Sequence, residues 1–267
     1  MKVAAAIVLG LCGLASPALA DGPAKIWSGF YLGGNAGFGT TNQSYTTTPQ
    51  ATLVSAPNIN STSWGAQSQA TDSVALAGLQ AGYNIEVGSK ALIGLEAGAE
   101  ALTAPNTLNY DFSTGSGGAL VNDQISRSIP WLGTVQARLG TTILSPSVLL
   151  YVSGGVAYGH ENIKATVNTA TPFPGSVPLE SFPFSVSADK TGVALGGGFE
   201  WLIGDRWSMK ADFQSIRLPA LSARTSVTTV FGPQSLPTDA VSFKPSAAQL
   251  NIVRLGVNYH FGGHAGK

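Results

Sequence analysis

The sequence predicts an all-β fold in which eight antiparallel strands close into an up-and-down transmembrane barrel, and three observations carry that prediction. Eight short stretches alternate apolar and non-apolar positions, the period of a strand with two different faces. The gaps between them alternate strictly between short and long. Finally, only 10% of the 267 residues are charged (14 basic, 14 acidic), beside 44% hydrophobic residues. A soluble domain carries about 25% charged residues, whereas a wall bathed in lipid has no use for them. The last stretch shows the alternation best: Val253, Leu255, Val257, Tyr259 and Phe261 share one face, and Arg254, Gly256, Asn258 and His260 share the other.

Taken in order, the strands are expected near Gly29–Phe38, Val74–Ile85, Ala91–Ala101, Trp131–Thr141, Val148–Gly159, Gly192–Trp201, Trp207–Leu218 and Leu250–Phe261. Each is close to the roughly 9–11 residues that cross a bilayer at a tilt. Glu86–Lys90, Thr142–Ser147 and Leu202–Arg206 read as short periplasmic turns. Gly39–Ser73, Leu102–Pro130, His160–Thr191 and Pro219–Gln249 read as four long extracellular loops, which places both termini in the periplasm. The first loop, Thr40 to Thr71, is uncharged and dominated by small polar residues, so it is expected to lack fixed structure. Proline cannot donate to a strand ladder, and all fifteen prolines are expected in the leader, in loops and turns, or at strand edges.

The apolar residues alone define the phase of each strand, so charge placement is an independent test of it. Glu96, Glu100, Arg138, Glu200, Lys210, Asp212 and Arg254 all fall on the lumen side. A basic residue facing mid-membrane lipid would cost roughly 2–4 kcal/mol. Arg217 has outward phase, but it lies at the outer rim beside Pro219, where that cost fades. Leu32, Leu79, Ile93, Leu95, Val135, Leu139, Val193, Leu195, Ala211 and Phe213 are expected to face lipid. Aromatic residues fall into two girdles, with Trp27, Phe30, Tyr83, Trp201, Trp207, Tyr259 and Phe261 at the periplasmic side and Phe38, Trp131, Tyr158 and Phe213 at the other. An eight-stranded barrel has an interior just wide enough for side chains, so the four acids and three bases are expected to pair as a lumen network.

The N-terminus fixes the compartment. Lys2, the apolar run Ala4–Ala15 and the sequence Ser16-Pro17-Ala18-Leu19-Ala20 form a secretory signal peptide with an A-x-A cleavage site, so the expected organisation is signal 1–20, barrel 21–261 and flexible tail 262–267. The single cysteine, Cys12, lies within the signal, and Leu11 before it is too bulky for a lipoprotein site; a mature chain from Asp21 then carries no disulfide. No run of about twenty apolar residues offers a spanning helix. Formal neutrality leaves no electrostatic footprint for nucleic acid.

Four stretches carry a family resemblance: Trp27-Ser28-Gly29-Phe30-Tyr31-Leu32-Gly33-Gly34, Trp131 to Gly140, Tyr151 to Gly159, and the closing Arg254-Leu255-Gly256-Val257-Asn258-Tyr259-His260-Phe261. Together they resemble the outer-membrane immunogenic or porin-like barrel family of alphaproteobacteria. The resemblance implies an eight-stranded barrel related in architecture to OmpA, abundant at the cell surface, tied to envelope integrity and often antigenic. Such barrels usually stop at the terminal phenylalanine, whereas six residues follow Phe261 here.

The leading functional expectation is a structural and surface-interaction protein. Its partners would be outer-membrane lipid and lipopolysaccharide, the barrel-assembly machinery reading Tyr259 and Phe261, and host or surface ligands at the loops. No catalytic, cofactor or metal site is expected. Small-pore conduction is one alternative. A lipid A-modifying enzyme is another, but it would need a serine, a histidine and an acid in contact, and only His160, His260 and His264 exist. Haem capture by Tyr158 and His160 is the third. Gly33-Gly34 and Gly196-Gly197-Gly198 lack the strand-to-helix setting of nucleotide loops and read as close-packed or bent strand positions.

Overall fold

The computed structural model describes residues 26–50, 66–103, 106–113, 120–169, 180–220, 223–227, 230–231, 234–235 and 239–262. The signal-peptide reading and the tail beyond Gly262 lie outside these residues.

Eight staves form the barrel, in chain order β1 (Gly29–Gln50), β2 (Ala66–Val87), β3 (Ala91–Thr103), β4 (Trp131–Thr142), β5 (Val148–Thr169), β6 (Glu180–Leu202), β7 (Trp207–Leu218) and β8 (Ala248–His260). Each is antiparallel to its sequence neighbours, and β1 also pairs with β8, from Tyr31↔His260 to Asn42↔Gln249. Closure leaves no open edge at membrane depth, which a sheet in hydrocarbon requires. At one end the staves join through the turns 88–90, 143–147 and 203–206. Gly88 there has φ +68°, a conformation that a side chain would strain.

The outward faces carry the expected apolar band. Leu32, Leu79, Ile93, Leu95, Val135, Leu139, Val193, Leu195 and Phe213 are all exposed on the wall. Rings ride the two ends of that band: Trp207 packs edge-on against Tyr259 and Tyr259 against Phe261 at the turn end, and Trp131 lies 5.5 Å from Tyr158 at the other. Trp27 departs from the expected girdle. It is 1% exposed and plugs the turn end of the lumen, with Nε1 donating to the Pro146 carbonyl at 2.9 Å. A chain entering the barrel from its N-terminal lead folds its first large ring inward because the lumen there offers apolar neighbours, Leu92, Leu149 and Tyr151.

The first long connection, expected to lack fixed structure, is in strand over residues 40–50 and 66–71, and the other three long connections also carry strand among the described residues. β1, β2, β5 and β6 are each 22 or 23 residues long, about twice what a membrane crossing needs. The remaining staves are continued by shorter strands. Asn106–Ser113 follows β3, Leu120–Ser128 precedes β4, Ala223–Val227 follows β7 and Asp239–Pro245 precedes β8. Ser, Thr, Asn and Gln are unwelcome on a lipid-facing strand, so their appearance reads as a strand end. Beyond the lipid that constraint lapses, and the hairpin ladder simply continues.

Three prolines consequently lie within strands: Pro49 in β1, Pro183 in β6 and Pro245 in Asp239–Pro245. Pro49 and Pro245 sit at or beside strand termini. Pro183 sits where β6 pairs with β5 alone, so its other edge carries no ladder for a missing N–H to break.

Above the apolar band the ring divides. The β2–β3 pairing stops at Ala75↔Thr103 and the β6–β7 pairing stops at Val193↔Arg217. One half-shell then comprises β2, β1, Asp239–Pro245 and Ala223–Val227; the other comprises Asn106–Ser113, Leu120–Ser128, β5 and β6. Among the described residues no strand pairing crosses the two seams, which lie on opposite sides of the barrel.

Candidate functional site: the layered lumen

The inward side chains stack in four layers. At the turn end lies the apolar plug of Trp27, Leu92, Leu149 and Tyr151. The polar network follows, and all seven residues singled out by strand phase are buried in it. Arg138 donates to Glu200 at 2.9 Å and to Glu96 at 3.2 Å, and its guanidinium carbon stands 3.9 Å from the centroid of the Tyr151 ring. Lys210 donates to Glu96 at 2.9 and 3.0 Å and lies 3.1 Å from Asp212. Arg254 donates to Asp212 at 2.8 and 3.1 Å and forms an ion pair with Glu100. β3 and β7 are four staves apart in a ring of eight, so the Lys210–Glu96 bond joins opposite walls.

Uncharged residues complete this layer: Asn258 is already on the lumen face in the sequence reading, whereas Tyr31, Asn35 and Gln80 escape that reading because they carry no charge. Tyr31 donates to Glu96 at 2.7 Å and accepts from Arg138 at 2.6 Å. Its ring is seated by a missing side chain: a Cβ at Gly82 would lie 2.3 Å from the Tyr31 hydroxyl oxygen. A polar chain runs from Asn35 through Gln80 and Asn258 to Glu200, with successive bonds of 2.8, 2.6 and 2.6 Å.

The third layer is apolar, built from Leu76, Leu132, Ala157, Ala194, Ile216, Leu218, Ala248, Leu250 and Ile252. The polar network at mid-depth is therefore bounded by an apolar layer on each side. The fourth layer sits at the hairpin end, where buried Glu161 pairs with both Arg127 and Lys190. Lys190 also donates to the Pro219 carbonyl at 2.7 Å, and Arg127 reaches the Ser246 carbonyl at 3.5 Å, so this cluster ties one half-shell to the other. Burial pulls the Lys190 ammonium below its ordinary range, against the opposing effect of Glu161.

Among the described residues neither alternative chemistry gains a built site. Ser208, His260 and Glu200 do meet: the Ser208 hydroxyl donates to Glu200 at 2.5 Å and lies 2.9 Å from His260 Nε2. A hydrolase triad needs the acid on the ring nitrogen opposite the serine, whereas Glu200 stands 3.4 Å from that same Nε2. Ser208 is also fully buried. The trio is part of the lumen network. Tyr158 and His160, the pair considered for haem, share outward phase at the rim. His160 Nδ1 is 2.6 Å from Asp189, and bonds from His160 and Tyr158 hold the Asp189 carboxyl below its usual range. Among the described residues no group of three or more His, Cys, Asp or Glu side chains is arranged to hold a metal ion.

With this geometry in hand, residues 4–261 match the family described as outer membrane protein beta-barrel domain. The chain belongs to that family. It is an integral protein of the bacterial outer membrane, and its similarity to outer-membrane immunogenic proteins agrees with the motif resemblance. The 31 kDa outer-membrane immunogenic proteins of Brucella melitensis biotype 1 and Brucella suis biovar 1 are each 28% identical to it over 186 residues, 69% of this chain. The chain spans 65% of the length of those relatives. Among solved structures, OprG of Pseudomonas aeruginosa is 13% identical, with 87% of this chain and 97% of that one covered and a TM-score of 0.41. Ail, the attachment invasion locus protein of Yersinia pestis, is 12% identical, with 85% and 99% covered and a TM-score of 0.33.

Proposed function

We propose that this barrel is a structural and surface-interaction component of the envelope, with a lumen closed by its own side chains and the long hairpins as its interaction surface. The observation that carries the reading is the Lys210–Glu96 bond between opposite walls, with an apolar layer on each side of it. An ion crossing the barrel would have to break that bond and pass the largely apolar layer on each side of it. Both termini lie in the periplasm in this reading, because the short turns belong on that side and the long hairpins outside. The wall meets lipid and lipopolysaccharide, and Tyr259 and Phe261 serve assembly. Host or surface ligands would engage the hairpins.

Single-channel recording of refolded protein in planar bilayers tests the closed lumen. The expected trace shows no large, steady conductance, and a deletion strain should show altered envelope integrity without loss of a solute uptake route. A large conductance whose ion selectivity changes in Arg254→Ala, with barrel stability unchanged, would establish a pore instead.

A further inference from the structure

The two seams that split the outer half of the barrel are built differently. At the seam between β6 and β7, the free edge of β6 from Glu180 to Thr191 carries Glu180, Pro183, Asp189 and Lys190, and the facing strand, Ala223–Val227, is five residues long and holds Arg224. Lys190 bridges that seam to the Pro219 carbonyl. Prolines, charges and shortness are the means by which proteins protect an open strand edge from pairing with another chain. The seam between β2 and β3 has almost none of these. Ala66–Ser73 of β2 contains no proline, lysine or arginine, and Asn106–Ser113 on the other side contains none either. Each holds one acid, Asp72 and Asp111.

We propose that the seam beside β2 is a docking edge that takes an extended, basic polypeptide segment by strand addition. Among the described residues Ala66–Ser73 pair with β1 on one side only, so their other side offers a row of N–H and C=O groups that a peptide backbone can complete. The partner's charge follows from Asp72 and Asp111, which have no basic counterpart on either edge. Asp72 Oδ2 is shielded from solvent and has no hydrogen-bond partner among the described residues, so a lysine or arginine on the incoming strand would supply one. A second copy of this chain fits poorly, because neither Ala66–Ser73 nor Asn106–Ser113 holds a lysine or arginine to offer the other copy's acids. The proposal rests on the surface-interaction reading but is independent of whether the lumen conducts.

The test uses the full mature chain refolded in detergent micelles, titrated with a fluorescein-labelled peptide alternating threonine and lysine. Two controls accompany it: the same peptide N-methylated at alternate amides, and a version with glutamate for lysine. Fluorescence anisotropy should show saturable binding of the first and at least about tenfold weaker binding of both controls. Ala70→Pro, on the open edge, should weaken binding at least about tenfold, and Thr225→Pro, on the guarded seam, should leave it unchanged. Altered gel migration before and after boiling verifies that each variant has folded. If Ala70→Pro does not fold, Asp72→Asn combined with Asp111→Asn replaces it, with a similar loss expected. Equal binding of the N-methylated peptide, equal loss in both proline variants, absence of binding, or self-association in place of peptide binding would each overturn the proposal. A silent conductance trace alongside a negative titration would remove the docking edge and leave the closed lumen standing.

Discussion

The mid-depth network and the Arg127–Glu161–Lys190 cluster at the mouth are both buried groups of opposite charges, yet they sit in different mechanical settings. At mid-depth every stave is hydrogen-bonded on both sides, and Arg138, Lys210 and Arg254 connect staves across the ring as well as along it. At the mouth the ring is already split, and the cluster reaches the other half-shell through the carbonyls of Pro219 and Ser246. The same chemistry therefore has different reach. A defect at mid-depth has nowhere to relax except through the whole barrel, whereas a defect at the mouth can be absorbed by one half-shell moving against the other.

The largest effect is expected from Arg138→Ala. Its guanidinium is the shared partner of Glu96, Glu200 and Tyr31, and its removal leaves two buried carboxylates short of a counter-charge. Losing one member of such a buried group costs about 3–5 kcal/mol. Urea titration of the refolded barrel should show the whole unfolding transition shifting by that amount. A shift below about 1 kcal/mol would mean that water reaches the site and solvates the orphaned acids, erasing the contrast with the mouth.

Lys190→Met sharpens the comparison from the other side. Glu161 keeps Arg127, the methionine stem still covers the neighbouring apolar surface, and the bond to Pro219 disappears. The global transition is expected to move by less than about 1 kcal/mol, while hydrogen exchange speeds up locally in the outer parts of β5 and β6 and in Ala223–Val227. Uniformly faster exchange, with β8 as affected as β6, would show that the mouth and the ring are one cooperative unit.

This contrast also explains what the sequence could and could not disclose. The mid-depth charges were legible because they interrupt apolar runs at period two, and at membrane depth each residue has only two places to go. Glu161 and Lys190 obey the same arithmetic. Glu161 keeps the inward phase of Ala157, and Lys190 that of Ala194 and Glu200, so carrying the phase past Gly159 and before Gly192 would have found them. They were missed because polar composition was read as the end of the strand. Arg127 is different: the phase breaks between Ser128 and Trp131, at Ile129 and Pro130, and no period survives to be extrapolated. The inward leucines and isoleucines of the third layer were invisible for another reason. An apolar residue facing a lumen and one facing lipid look the same once a strand nears the membrane edge. The uncharged members of the network, such as Tyr31, have the inward phase too, but without a charge that phase does not reveal what they bond, and the seat of Tyr31 depends on the missing side chain at Gly82.

The smallest effect on stability, and the sharpest separation of folding from assembly, is expected at the end of β8. Phe261 lies half-exposed at the turn end, its N–H donating to the Phe30 carbonyl at 2.9 Å and its ring 5.5 Å from Phe30 and 5.0 Å from Tyr259. Little buried area is lost on truncation, so Phe261→Ala should change the stability of refolded barrel by less than about 1 kcal/mol. In the cell the outcome should differ. On the proposed assembly role, β8 before closure is an unpaired strand whose alternating Val253, Leu255, Val257, Tyr259 and Phe261 face would be read by the assembly machinery, and strand addition would need the backbone row plus an apolar anchor at its end. Phe261→Ala should therefore lower the amount of folded protein at the cell surface several-fold, while deletion of Gly262 to Lys267 leaves it unchanged or slightly raised. Surface labelling of intact cells, set beside urea titration of the same variants, measures both quantities. A tail deletion as damaging as Phe261→Ala would move the assembly signal beyond the last stave, and a stability loss matching the surface loss would show that Phe261 acts through the barrel's own packing.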